Sequence, residues 1–221
     1  MSPDTPNLAK DLVRIHKVIT RGLDVVLTAG EGYLGAGFAN PQELQGYSSY
    51  IHCLATVLGA HHSGEDLIAF PDLQKVLPLA PYSQLAADHR WIEKLLAPIP
   101  QSINDLPGGS TESRLKKIID NLANIQEIWA PHIRTEEHFF SQDIINSVMV
   151  IEEQKRISEA TSKYSQEHSD PPYWVIPFIL FNLEKEERET MASFLPPTIM
   201  EEMVPKVWKE KWEPMKPFLL D

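Results

Sequence analysis

His61-His62-Ser63-Gly64-Glu65-Asp66 is matched further along the chain by His132-Ile133-Arg134-Thr135-Glu136-Glu137, so the pattern His-x-x-x-Glu-acidic occurs twice. Each copy trails a solitary upstream histidine, His16 by 45 residues and His89 by 43. The repetition describes two copies of one helix pair, each offering two histidines and a carboxylate. Residues four apart share a helix face. His61 with Glu65, and His132 with Glu136, therefore present a nitrogen and an oxygen to one point. Imidazole combined with carboxylate suits iron, manganese or zinc better than calcium.

The spacing also predicts that the four segments meet. An amphipathic run extends from about Asn7 to Ala29, and Asn40-Pro41 reads as a cap followed by a first-turn proline. His16 lies nine residues beyond Asn7, and His61 lies nine before Phe70, where Pro71 is expected to stop the second helix. In an antiparallel pair both histidines then sit at one height, ~14 Å from the same end at about 1.5 Å per residue. In the second pair, His89 follows Tyr82 by seven residues and His132 precedes Phe140 by eight. Two such hairpins packed together predict an all-α, up-down four-helix bundle with its ligands in one central layer.

Periodicity supports the same helices. Leu8, Leu12, His16, Ile19, Leu23 and Val26 follow steps of three and four, and Leu44, Ile51, Leu54, Leu58, His61, Glu65 and Ile68 do so with one gap. The third segment gives Leu85, His89, Ile92 and Leu96. The fourth runs from Leu115 through Ile125, Trp129, His132 and Glu136 to Phe139, opened by the cap candidates Ser110 and Thr111 after Pro107-Gly108-Gly109. Pro131 is expected to kink it.

A lone histidine on an apolar face is more often a hydrogen-bonded core residue than a ligand. Four histidines at matched heights with two glutamates on apolar stripes are a different matter. An unpaired buried carboxylate costs on the order of several kcal/mol, and a metal is the partner that satisfies both. His52, His138 and His168 fall off the ligand face or in a polar stretch. His62 pairs with Asp66 beside the first ligand pair, and His62, Asp66 and Glu137 read as outer partners that orient the ligands, His62 also as an alternative ligand.

The order of these residues, together with His61-His62-Ser63-Gly64-Glu65-Asp66 leading to Phe70-Pro71, resembles the hemerythrin-like HHE cation-binding proteins over about residues 7 to 140. The rest of the chain is similar to fungal-type members. The resemblance implies an up-down four-helix bundle holding a non-haem di-iron centre bridged by two carboxylates. It implies His16, His61, Glu65, His89, His132 and Glu136 as the ligands. Oxygen-carrying hemerythrins have a fifth histidine one turn after the third-helix histidine and an aspartate five residues after the last one. Here Glu93 stands in the first place and Glu136 takes the role of the second. Glu93 reads either as a further ligand or as a solvated partner of Arg90 or Lys94. As a ligand it would make the shell rich in oxygen and favour ferric iron, which is unlike a reversible carrier.

Composition bounds the remainder. At 221 residues the chain suits one metal-binding bundle, 1–140, with a C-terminal helical extension, 141–221, packed on it. No 18-residue apolar span occurs, and Asp4, Lys10 and Asp11 interrupt any signal-peptide pattern, so a cytoplasmic protein is expected. The single cysteine, Cys53, excludes a disulfide framework and a cysteine-rich metal site. A net charge of −11 argues against nucleic acid or an anionic membrane as partner.

After the bundle, a fifth helix is expected from Gln142 to about His168, with Ile144, Ile145, Val148, Ile151 and Ile157 as its stripe. Proline-punctuated short helices follow, rich in aromatics such as Trp174, Phe178, Trp212 and Phe218. They read as a strap on the bundle or as a wall enclosing a pocket beside the metal. Ranked first among functions is a di-iron oxidase or oxygenase that activates O2 to oxidise a small organic molecule. Binding or sensing of O2, nitric oxide or peroxide comes second, iron handling without turnover third, and a zinc-stabilised scaffold fourth.

Overall fold

The computed structural model describes residues 7–106 and 111–221. The side chain of Asn7 accepts from the Lys10 amide at 3.0 Å and opens α1 (Leu8–Ala36); that of Asn40 accepts from Glu43 at 2.9 Å and opens α2 (Pro41–Gly64). These are the caps that satisfy the orphan amides of a first turn. A π-helical segment, Glu65–Ala69, leads into α3 (Phe70–Val76), followed by α4 (Tyr82–Leu96), α5 (Ile99–Asn104) and α6 (Thr111–Phe139). The expected turn Pro107-Gly108-Gly109 and the cap candidate Ser110 lie outside the described residues. The hydroxyl of Thr111 donates to the Leu106 carbonyl at 2.8 Å.

Helices α1, α2, α4 and α6 form the four-helix bundle: α1 lies beside α2 and α6, and α4 lies beside the same two. Their inward faces bury Ile19, Leu23, Leu54, Leu58, Ile92, Leu122 and Ile125 completely. No strand occurs among the described residues.

One helix end differs from the pattern expected of the sequence. The second helix does not stop at Pro71. It widens at Glu65, so that the Phe70 amide donates to the Glu65 carbonyl five residues back. Pro71 thereby falls in the first turn of α3, where a missing amide N–H costs nothing. Single-turn π-bulges recur at functional sites, and this one carries Glu65 and Asp66. The fourth bundle helix runs through Pro131 unbroken, with the Thr135 hydroxyl donating to the Pro131 carbonyl at 3.0 Å.

Beyond the bundle the expected fifth helix is two helices, α7 (Gln142–Val148) and α8 (Ile151–Glu167). Met149 and Val150 between them are extended, which buries Met149 in the cluster of Phe140, Ile145 and Ile157. The Gln154 amide donates to the Met149 carbonyl at 3.0 Å and holds the break. Val148 and Ile151, assigned to the buried stripe by spacing, are exposed as a result.

The chain ends with α9 (Pro172–Phe181), α10 (Lys185–Ser193), a second π segment (Ile199–Val207), α11 (Lys209–Trp212) and a 3₁₀ turn (Glu213–Phe218). Helices α8 and α9 and the 3₁₀ turn pack along α2. Gly46 allows the closest approach: a Cβ there would lie 2.0 Å from the Pro214 carbonyl oxygen. The Arg21 guanidinium ties the parts together, donating to the Phe218 carbonyl at 2.9 Å, to the Tyr50 hydroxyl at 3.3 Å and to Asn182 Oδ1. Phe178 and Phe218 pack on Tyr50, with ring centroids 4.9 and 5.7 Å away. Tyr50 stands eleven residues before His61, about 16 Å along the helix axis. Phe178 and Phe218 therefore complete the core at the end of the bundle away from the histidines, whereas Phe194 lies against the Arg14 guanidinium, two residues before His16.

Candidate metal centre

Seven ionisable side chains converge at the other end. α1 contributes His16, α2 contributes His61 and His62, the π segment contributes Glu65, α4 contributes His89, and α6 contributes His132 and Glu136. None is more than 5% exposed, so water cannot solvate their charges. His16, His61, Glu65 and Glu136 each bring a ligand atom within 4.8 Å of the others; His62, Glu65, His89 and His132 form a second such group. The two groups share Glu65. Glu136 also reaches both, with one oxygen 3.2 Å from His16 Nε2 and 3.3 Å from His132 Nε2.

The surrounding hydrogen bonds fix which ring nitrogens face inward. Nδ1 of His16 lies 2.9 Å from Glu137, that of His89 lies 3.0 Å from Asp66, and that of His132 lies 3.4 Å from Asp88. A carboxylate can only accept, so Nδ1 carries the proton in each neutral ring and Nε2 keeps its lone pair. The Nε2 atoms of His89 and His132 then face one another at 3.2 Å, which only a shared cation or proton makes favourable. Both oxygens of Glu65, both of Glu136, Nε2 of His16 and His61, and both nitrogens of His62 are buried without a hydrogen-bond partner. Such a concentration of unpaired groups fits metal ions, and the carboxylates on Nδ1 are the outer partners that orient metal-binding histidines.

Aromatic packing immobilises the rings. The Trp129 indole lies against His16, His61, His62 and His132, with centroids 5.3 to 6.0 Å away. His89 is stacked between His62 at 4.0 Å and Phe70 at 5.6 Å.

In the metal-free protein, burial and the neighbouring histidines push His61 and His62 well below the ordinary imidazole pKa, leaving them neutral as ligands must be. Burial, reinforced by the charges of Glu136 and Asp66, raises Glu65 well above the usual carboxylate range. Burial acts on Glu136 in the same sense, but the imidazoles of His132 and His16 close beside it overcome it and hold this carboxyl below the usual carboxylate range. Burial lowers His16 too, and there Glu136 and Glu137 win, so its pKa is raised. The cluster thus contains one buried acid whose protonated form burial favours.

All six residues first expected as ligands, His16, His61, Glu65, His89, His132 and Glu136, come together here. Asp66 and Glu137 sit behind ligand histidines. Glu93 does not join them. It is exposed, on the wall of a separate groove with His52 and Gly59. The buried stripe Leu85, His89, Ile92, Leu96 leaves Glu93 at its rim, since each residue adds about 100° around the axis. His62, read as an outer partner or an alternative ligand, lies among the inward-facing imidazoles. A fifth histidine is therefore present, supplied by α2 rather than by α4. Asp88 was missed; its only signal is its place beside His89.

A helical bundle burying five imidazoles and two carboxylates in one layer is a metal-binding bundle protein by construction. Residues 7–142 match the hemerythrin HHE cation-binding domain, well over half of the chain, and the protein belongs to that family. No curated protein and no solved structure shows a significant match to it.

Proposed function

We propose that the cluster holds two iron ions and that the centre binds a small oxygen-containing ligand: O2, nitric oxide or peroxide. The observation that carries the reading is the pair of facing His89 and His132 Nε2 atoms, each with its Nδ1 engaged by a carboxylate. Five nitrogen donors with two carboxylates exceed the four ligands of a tetrahedral zinc, and iron is the ion with which this family is associated. Iron so held would supply reversible redox chemistry and a place for the ligand to bind. The protein's own residues keep His61 and His62 neutral, orient His16, His89 and His132 through carboxylates on Nδ1, and exclude bulk water behind Trp129 and Phe70.

Oxidation of an organic substrate is the second reading. It calls for Glu93 as a ligand and for C-terminal aromatics beside the metal; Glu93 is exposed and Phe178 and Phe218 pack elsewhere, while Phe194 lies by Arg14. What favours it is a groove of about 330 Å³ that reaches His16. Residues 1–140 are read as the metal-binding unit and 141–221 as its brace. No helix among the described residues is long and apolar enough to cross a membrane. With a net charge of −11, we place the protein in the cytoplasm with small molecules, not nucleic acid or lipid, as its partners.

Elemental analysis and an aerobic absorption spectrum test both readings. About two irons per chain are expected, together with an oxygenated spectrum that fades when oxygen pressure falls. Irreversible oxidation accompanied by conversion of an added organic substrate would transfer the conclusion to the second reading. A single zinc would end both.

A further inference from the structure

We propose that the groove between α1 and α6 is the route by which di- and triatomic ligands reach the buried centre, an inference that rests on reading the cluster as a metal site. Two open grooves flank the bundle. One, of about 330 Å³, is lined by Val13, His16, Thr20, Ile133 and Glu137 among others; the second, of about 250 Å³, lies beside His52, Ala55 and Glu93. Only the first includes a member of the cluster.

Two of its lining residues, Glu137 and Thr20, are hydrogen-bonded toward the cluster. Glu137 meets His16 Nδ1 at 2.9 Å, and the Trp129 indole N–H donates to the Thr20 hydroxyl at 2.9 Å. Glu137 is 38% exposed at its side chain and His16 only 1%, so this pair spans the distance from solvent to the cluster. Trp129 continues inward against four of the five histidines. The flank formed by α2 is covered by α8, where a Cβ on Gly64 would already meet Thr161 at 3.1 Å. A groove at the low end of small-molecule pocket volumes, closed by side chains alone, admits ligands of a few atoms by rotamer motion and holds off larger ones.

The test plugs each groove in the iron-loaded protein and follows azide, a small ligand of ferric iron, by stopped-flow absorption, with metal content measured in parallel. Val13→Trp and Ile133→Trp, acting from opposite walls, should keep the wild-type metal content and final absorbance. Each should slow azide association about tenfold or more, because an indole obstructs the passage beside His16. Ala55→Trp, in the other groove, should leave the rate unchanged. If either tryptophan variant loses its fold, the series Val13→Ala, Val13→Leu and Val13→Phe must order the rates by side-chain size. Metal-replete plugged variants that bind azide at the wild-type rate, an unordered series, or slowing by Ala55→Trp overturns the route. A wild type that holds iron but never binds azide overturns the route alone, and one that holds no metal removes the metal reading with it.

Discussion

The two halves of the buried cluster share Glu65 but are built from different donors. One half sets His16 and His61 against Glu65 and Glu136; the other surrounds Glu65 with His62, His89 and His132. Their outer support differs in the same way. In the second half, His89 and His132 each have a carboxylate on Nδ1, while in the first only His16 does, through Glu137. Two ions held here would not be equivalent. The ion nearer His16 would have more anionic oxygen and lies under the groove, whereas the ion between His89 and His132 would have more imidazole, enclosed by Phe70 and His62. The α1/α6 side is thus suited to receive a ligand and the α4 side to retain its metal.

The largest effect should come from the residue the halves share. Glu65→Ala should empty both, and the loss of bound metal should remove roughly 3 to 4 kcal/mol of stability at metal concentrations 100 to 1,000 times Kd. Elemental analysis and calorimetry check this; full metal content in the variant would break the description of a shared carboxylate. Next in size, His62→Ala should lose one ion and keep the other, giving about half the wild-type metal content. Retention of both ions would return His62 to the role of an outer partner.

Outer carboxylates should matter less. Asp66→Asn should weaken metal binding about 10- to 100-fold, and Asp88→Asn less, because its contact with His132 is 3.4 Å against 3.0 Å for Asp66 with His89. Competition with a chelator measures both, and the reverse order would contradict the geometry.

Acid should destabilise the metal-free protein by a smaller amount. His61 and His62 resist protonation when folded but take up two protons on unfolding as pH falls below 6.5. His16, with its raised pKa, is charged in both states by then, and Glu65 holds one extra proton in the folded state. Well below 6.5 the unfolded chain is left with a net gain of one proton, so stability should fall with falling pH by a slope approaching about 1.4 kcal/mol per unit near pH 5. Thermal melts of the chelator-treated protein between pH 6 and 5 show the slope, and a melting temperature that rises on acidification within that window would reverse the assignment. The smallest effect belongs to Glu93→Gln and His52→Ala, which should leave metal content unchanged.

Much of this centre was legible because ligands spaced four apart on a helix must share a face, and because two helix pairs with matched intervals place their histidines in one layer. What escaped was whatever depends on how wide a buried face is. His62 lies about 100° around the helix from His61, and spacing alone sends it off the stripe. The bundle buries an arc wide enough to hold both. Glu93 fails for the opposite reason, since its place four residues after His89 falls just outside the arc of the shorter α4. The π segment was hidden too, because Pro71 looked like a stop when a wider turn upstream moves it into a new first turn. In the extension, apolar spacing ran on through Met149 and Val150 although two β-branched neighbours and a capping glutamine divide the helix there.

Gly46 has a meaning that reaches past this one molecule. With Pro214 seated where its first side-chain carbon would stand, position 46 records the presence of the C-terminal strap in a place far from it in sequence. Relatives that keep glycine there should share the strapped architecture. Those with alanine or anything larger should carry a different tail or none, which makes one residue of α2 a label for sorting the lineage.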